Sequence, residues 1–460
     1  MNTSGVIRAI AIVAALLPGA GARAAEFDAG FARVDVTPQQ PVRMSGYGGR
    51  DHPSEGTDLP LHARAMALRA AGGETFVLVT FDTIGTPAAF TDDVVKRVAE
   101  RYKVARERFV LCGTHTHAAP HLPIGLTNVF NVPMSDEELK RGGAYVAFAQ
   151  DRIVEAVGKA IEDLKPAKLS LGTGKVGFAA NRRVLENGKW VRFGVSPDGP
   201  VDHTVDVLKV TTPAGELRGV IFNYACHATT LGATYYNING DWPAYATQQL
   251  EREHPGATAM CTIGCGADAN PEPRGKREQS EAHGKTMAAE VTRVIGTELR
   301  PLPDAPRAAL GVADLPFELP TAEQLKAQLA DKHPPTARRA ASMLATLDQD
   351  GKLPATYPDP IQVWRFGDDL TMVFLGGEVV VDYALRLKRE IPSKHVWCTA
   401  YANDVFAYVA SERVRKQGGY EVDMSMVLYN RPGPWAAGTE ELLVRRVHEV
   451  VKQAGGTARR

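Results

Sequence analysis

Short apolar runs alternate with amphipathic stretches along almost the whole chain. Phe76–Phe81 (FVLVTF) and Phe109–Gly113 (FVLCG) have the length and the aromatic and β-branched content of buried strands. Between them, Phe90–Tyr102 repeats its apolar positions at helical spacing, and a longer amphipathic stretch predicts a helix over Ala144–Leu164. Val207–Thr211 and Gly219–Ala225 read as strands, Trp242–Glu253 and Gln279–Val294 as helices. Met372–Leu375 predicts a strand feeding a helix over Glu378–Glu390, and a last helix is expected from about Thr439 to Gln453. This alternation predicts an α/β (mixed α+β) architecture, one large domain of mostly buried mixed sheets flanked by helices.

Thr321–Asp350 breaks the pattern. It is charged, Ala-rich and poor in large apolar residues, and predicts an exposed helical insertion followed by a Pro-rich connector over Leu353–Pro360. No internal repeat is visible, and no linker divides the chain into independent domains. At the start, Arg8 precedes the apolar stretch Ala9–Leu17, too short to span a bilayer, and Ala22-Arg23-Ala24 fits a small-x-small cleavage site. Residues 1–24 are therefore expected to be a signal peptide, with an N-terminal anchor or a buried helix as the alternatives. The mature chain would begin near Ala25 and be exported, periplasmic or secreted. No other segment reads as transmembrane.

Composition narrows the function classes. The 460 residues are 44% hydrophobic and 23% charged, with Lys+Arg and Asp+Glu equal at 53 each, so nothing marks a nucleic-acid footprint. Five cysteines in an exported chain leave at least one thiol outside any intramolecular pairing. Cys112 and Cys226 sit in apolar runs and read as core, whereas a Cys261–Cys265 pairing stays open.

Five segments can carry chemistry. Thr114-His115-Thr116-His117 follows the strand FVLCG, and in an extended chain His115 and His117 point the same way, as shared metal ligands or as ligand and catalytic partner. His227 ends another apolar strand; Gly240-Asp241 follows, with Asp241 reading as a helix cap. Gly376-Gly377-Glu378 turns sharply after a strand, so Glu378 is either a carboxylate at a helix start or a hard oxygen ligand beside the histidines. Gly264-Cys265-Gly266-Ala267-Asp268-Ala269-Asn270-Pro271 is a Gly-rich loop able to present backbone N–H groups, or a tight connection only. Tyr401-Ala402-Asn403-Asp404, Tyr408 and Gly419-Tyr420-Glu421 add tyrosines that read equally well as packing residues. No GxSxG, P-loop or HExxH occurs, so a serine-hydrolase reading has no anchor.

Taken in order, these segments resemble the catalytic domain of the neutral (alkaline, non-lysosomal) ceramidases. Ala32–Pro38 and Met44-Ser45-Gly46-Tyr47-Gly48 look like that family's opening strand and GY turn, and Leu61–Ala65 like its next motif. Gly113–His117, Asn181-Arg182, Asn223–Thr230 with Gly240-Asp241, Gly377-Glu378 and the Tyr408–Tyr420 spacing match the segments that follow. The resemblance runs from about Phe31 to Ser425. It implies one catalytic zinc held by His115, His227, Glu378 and Tyr408, with His117, Arg182 and Tyr420 around the substrate carbonyl, Asn270 as a substrate hydrogen-bond partner and Asp268 counted with the catalytic residues. The implied activity is hydrolysis of an N-acyl amide by a metal-activated water, on a small N-acylated or lipid-like substrate of sphingolipid type. A zinc esterase or deacylase acting on another substrate, and a metal-retaining binding protein, are the alternatives. Two departures stand out. Asn270 occupies the place of a family serine, so covalent serine chemistry has no residue there. The sequence runs to Arg460, and the family's C-terminal immunoglobulin-like domain is not expected in it.

Overall fold

The computed structural model describes residues 27–70 and 73–455. The expected signal peptide lies outside them. Two sheets stack face to face. The larger holds, in spatial order, Thr258–Ile263, Leu217–Tyr224, Thr204–Thr211, Lys165–Lys175, Phe27–Asp35, His62–Ala70, Thr75–Phe81 and Phe109–Gly113, with Arg300–Pro301 against Lys165–Lys175. Its two outermost pairs are parallel and the pairs between them antiparallel. The smaller sheet runs Pro306–Pro316, Thr356–Phe366, Leu370–Leu375, Val396–Thr399, its last pair parallel.

The doubly apolar strands make this stacking possible. Leu68, Phe76, Leu78 and Val110 from the larger sheet meet Trp364, Phe366, Met372, Phe374 and Trp397 from the smaller in one core, with Phe76 edge-on to Trp364 at 5.4 Å. The alternate residues Val77, Val79 and Phe81 face away, onto Phe90, Val94, Ile153 and Val157 of the helices Ala88–Tyr102 and Asp136–Glu162. On the opposite side, Val363 and Val373 share a core with Leu387, Leu443 and Val447 of the helices Val381–Glu390 and Thr439–Gln453. The result is a helix–sheet–sheet–helix sandwich, the buried mixed sheets expected from the pattern.

Four local expectations change. The helix expected from Ala144 starts at Asp136, because Ser135 and Glu138 form a reciprocal capping box and the acidic first turn carries no apolar periodicity. Glu378 does not begin a helix: Glu378–Val379 is a short strand paired in parallel with Tyr408–Val409, and the helix begins at Val381. The expected connector Leu353–Pro360 is largely strand, Thr356–Phe366. Pro358 and Pro360 are tolerated there because they lie two apart, facing one strand edge, and the neighbour on one side begins only at Ile361. The insertion is helical over Ala322–Gln328 and Pro334–Asp350 but docked. Leu325, Ala340, Met343 and Leu353 form their own small core, and the buried Arg339 guanidinium donates to the carbonyls of Arg431 and Pro432.

All five cysteines are buried with free thiols. Among the described residues no helix is long and apolar enough to cross a membrane.

Candidate metal centre

The chemistry-bearing loops leave the C-terminal ends of strands that belong to parallel pairs. His115 and His117 follow Phe109–Gly113, His227 follows Leu217–Tyr224, the Asp268–Asn270 loop follows Thr258–Ile263, and Glu378 and Tyr408 follow Leu370–Leu375 and Val396–Thr399. Short ladders then lock these loops together. Thr116 bridges Ala228 in parallel, and the His117 N–H donates to the Ala228 carbonyl at 3.3 Å. Glu378 sits in register with Tyr408, and its N–H donates to Ala407 at 2.8 Å. The His227 N–H donates to Ala269 at 3.1 Å and the Arg182 N–H to Asp268 at 2.8 Å, while Asn270 pairs with Ala180.

The side chains converge in a buried cluster. His115 Nε2 lies 3.1 Å and His227 Nε2 3.3 Å from Glu378 Oε2, and His117 Nε2 lies 3.3 Å from His115 Nε2. The Tyr408 hydroxyl is 3.2 Å from His227 Nε2. His115 and His227 ring centroids are 4.5 Å apart, crossed at 80°. His115 and His117 converge, though not by strand alternation. His115 has φ +57°, a left-handed conformation rare outside glycine and held here by its surroundings. Its ring lies on Tyr401 at 4.1 Å, and its Nδ1 donates to the Ile84 carbonyl at 2.6 Å.

That contact decides what the imidazoles can bind. His227 Nδ1 likewise donates to the Gly266 carbonyl, at 3.0 Å. With Nδ1–H committed, each ring turns its Nε2 toward Glu378 Oε2, itself without an aligned hydrogen-bond donor. Arg182 Nη1 reaches His227 Nε2, but no donor is aligned on Glu378 Oε2, and a cation between that oxygen and the two ring nitrogens would satisfy it. A backbone carbonyl behind each ring is also the usual support of a histidine metal ligand. Burial, reinforced by the Arg182 charge, pulls His227 down to about 3, so its ring is neutral. His115, His227 and Glu378 therefore fit a metal ion. His117 is near enough to make a three-histidine group with His115 and His227. Its Nδ1, however, is buried with no partner, so it lacks the support the other two have.

The remaining expected residues fall into two sets. Arg182 is buried at the cluster: Nε donates to Glu421 at 2.9 Å, Nη2 to the Tyr408 hydroxyl at 3.1 Å, and Nη1 lies 3.1 Å from His227 Nε2 and 3.4 Å from Asn270 Oδ1. Tyr420 packs edge-on against Tyr408 at 5.4 Å and Phe193 at 4.9 Å. Asn270 Oδ1 also accepts from Thr229 at 3.2 Å, which leaves its amide N–H groups for other partners. Asp268 is placed differently from expectation. Its carboxylate accepts from Val381 N–H at 3.0 Å and Asn181 Nδ2 at 3.1 Å, no contact joins it to the histidines, and burial pushes it up to about 6. It fastens the strand Ala179–Asn181, next to Arg182, to the start of the helix Val381–Glu390. Asp241 acts similarly, accepting from the N–H groups of Trp242 and Leu231 and from Ser280 Oγ.

Sequence reading missed two supports. Arg50, fully buried, donates to the carbonyls of Ser45 and His117. Tyr429 donates to Glu378 Oε1 at 2.5 Å. Neither stands in a recognisable motif. The GY turn has a clear purpose: a Cβ on Gly46, which has φ +93°, would lie 2.4 Å from His117 Nδ1. Gly46→Ala is expected to displace the His117 ring and to lower any activity that uses it by about 10²-fold. Metal content should stay unchanged, since His115 and His227 are supported independently. Steady-state rates with metal analysis check this, and an unimpaired variant rules out the tight fit.

The fold and cluster define a class: a four-layer α/β sandwich with a buried His/Glu group at strand C-termini able to hold a metal ion. A family model described as neutral/alkaline non-lysosomal ceramidase, N-terminal, matches residues 27–280, and the chain belongs to that family. It is 27% identical over 231 residues to the neutral ceramidase of Pseudomonas aeruginosa, covering 49% of this chain and 33% of that protein. The Mycobacterium tuberculosis neutral ceramidase is 28% identical over 223 residues, covering 46% and 34%. The matched region thus spans about a third of the length of these curated relatives. Two solved structures share the fold at 20% identity, each match covering 95% of this chain and 76% of theirs. They are the Pseudomonas aeruginosa neutral ceramidase, at TM-score 0.71, and a ceramidase complexed with C2, at 0.72.

Proposed function

We propose that this protein is a zinc-dependent amidase that hydrolyses the N-acyl bond of ceramide or a closely related lipid amide. The observation that carries the proposal is the arrangement of His115 and His227, each with Nδ1 fixed by a carbonyl, around the donor-less Oε2 of Glu378. Membership of the ceramidase family and the names of its relatives support the substrate class. The signal-like N-terminus supports action outside the cytoplasm, in lipid and sphingolipid metabolism.

His115, His227, Glu378 and Tyr408 would hold the ion. Bound zinc supplies Lewis acidity, which polarises a carbonyl and makes water nucleophilic near neutral pH. The other residues complete the chemistry. His117 exposes only Nε2 to the cluster, so a proton it moves from the attacking water to the departing nitrogen crosses at that atom. Water oxygen bonds to the acyl carbon, the C–N bond breaks, and a carboxylate and an amine leave. Tyr420 and Arg182 face the carbonyl oxygen as it gains negative charge. Asn270 offers its amide N–H groups to the substrate. Zinc analysis of purified protein combined with a panel of N-acyl and O-acyl substrates tests the reading. About one zinc per chain and turnover of a lipid amide are expected; absence of metal, or hydrolysis of esters alone, overturns it.

Asn270→Ala is expected to cost about tenfold to a hundredfold in rate while zinc content stays full, the loss of one positioning hydrogen bond. A collapse as deep as that from removing a metal ligand, with zinc retained, would assign the chemistry to this loop instead.

A further inference from the structure

Tyr429 stands outside every segment that the sequence marks as functional. It ends the short helix Ser425–Leu428, with its N–H bonded to the Ser425 carbonyl, and is 8% exposed. The next turn is pinned: Asn430 is left-handed at φ +53°, and Arg431 Nε donates to the Phe406 carbonyl at 3.0 Å, beside the strand that carries Tyr408. The phenol is thereby held against Glu378. Its hydroxyl donates to Oε1 at 2.5 Å, while Oε2 faces His115 and His227. Its ring also lies edge-on to Tyr408, centroids 6.4 Å apart at 75°.

A glutamate carboxylate turns easily about its last torsion and can offer a metal either oxygen or both. The tyrosine bond biases that choice: it takes up one lone pair of Oε1 and holds the carboxylate plane so that Oε2 is the oxygen turned to the histidines. We propose that Tyr429 is a positioning residue that fixes Glu378 as a one-oxygen ligand through Oε2 and braces the ring of Tyr408. The inference rests on the metal-site reading above and adds a residue to it.

The test is zinc affinity of the full chain, measured by competition with a chromophoric chelator, for the parent and for Tyr429→Phe. X-ray absorption of the zinc-loaded proteins reports the oxygen coordination, and thermal melting of the metal-free proteins reports folding. Tyr429→Phe deletes only the hydroxyl. The expected result is zinc affinity weaker by about 10- to 100-fold, the scale for loss of a group that orients a metal ligand. A changed carboxylate coordination should accompany it, with the metal-free melting curve still cooperative. Tyr429→Met removes the same hydroxyl with a different side chain and is read identically, in case the first variant is insoluble. If the parent takes up zinc and both variants bind it within twofold of the parent, this inference is overturned and the metal site stands. If the parent takes up no zinc, the metal reading itself falls, and the inference with it.

Discussion

Glu378→Ala is expected to leave the protein without zinc and to lower lipid-amide hydrolysis by at least about 10³-fold, the equivalent of the several kcal/mol that metal polarisation contributes. Glu378 is the one carboxylate among the proposed ligands; His115, His227 and Tyr408 bring two imidazoles and a phenol. Its Oε2 approaches His115 and His227 at 3.1 and 3.3 Å, so its loss removes both the shared point of the cluster and its negative charge. The variant is expected to fold, because the backbone pairing of Glu378 with Tyr408 and Ala407 does not use the side chain. Metal analysis by atomic absorption and initial rates in zinc-buffered solution provide the check. A variant that keeps stoichiometric zinc would place the metal elsewhere.

Tyr420→Phe is expected to lower kcat by about 10²- to 10³-fold and leave KM close to its original value, the loss typical of one donor to a developing oxyanion. Tyr408 is committed: its hydroxyl meets His227 Nε2 and accepts from Arg182 Nη2. Tyr420 packs its ring against Tyr408 and Phe193, beside the Arg182 guanidinium, which lies 5.7 Å from its centroid. The glycines Gly418 and Gly419, both at positive φ, deliver it there, and Glu421 behind it anchors Arg182 and Arg183. A phenol that meets negative charge only as the tetrahedral centre forms contributes to kcat and not to substrate binding. Initial-rate kinetics on a soluble short-chain lipid amide separate the two. A defect confined to KM, or none, would make Tyr420 a packing residue of the Gly-rich turn.

Much of this protein was legible in the chain alone. Buried strands such as FVLVTF and FVLCG declare themselves because a strand covered on both faces is apolar at every position, and the helix Thr439–Gln453 because its apolar stripe is unbroken. His115, His117, His227 and Glu378 could be picked out because each directly follows such a strand, where side chains emerge from a rigid support. The sequence also supplied the ordered motifs that marked the family. Elements whose ends are polar were harder to read: the first turns of Asp136–Glu162 are held by a capping box and lie outside any apolar period.

What the tertiary structure alone decided is contact between segments far apart in the chain. The Thr116–Ala228 bridge and the Glu378–Tyr408 pairing bring the loops together, and no local pattern encodes which loop meets which. Nor could a sequence separate His117 from its two neighbours, since the difference is a carbonyl, of Ile84 or Gly266, behind each of those two rings and none behind that of His117. Asp268 and Asn270, two residues apart in one loop, diverge for the same reason. The first turns its carboxylate to a helix start and the second to Arg182, and only the packing of two sheets determines which partner lies within hydrogen-bond reach.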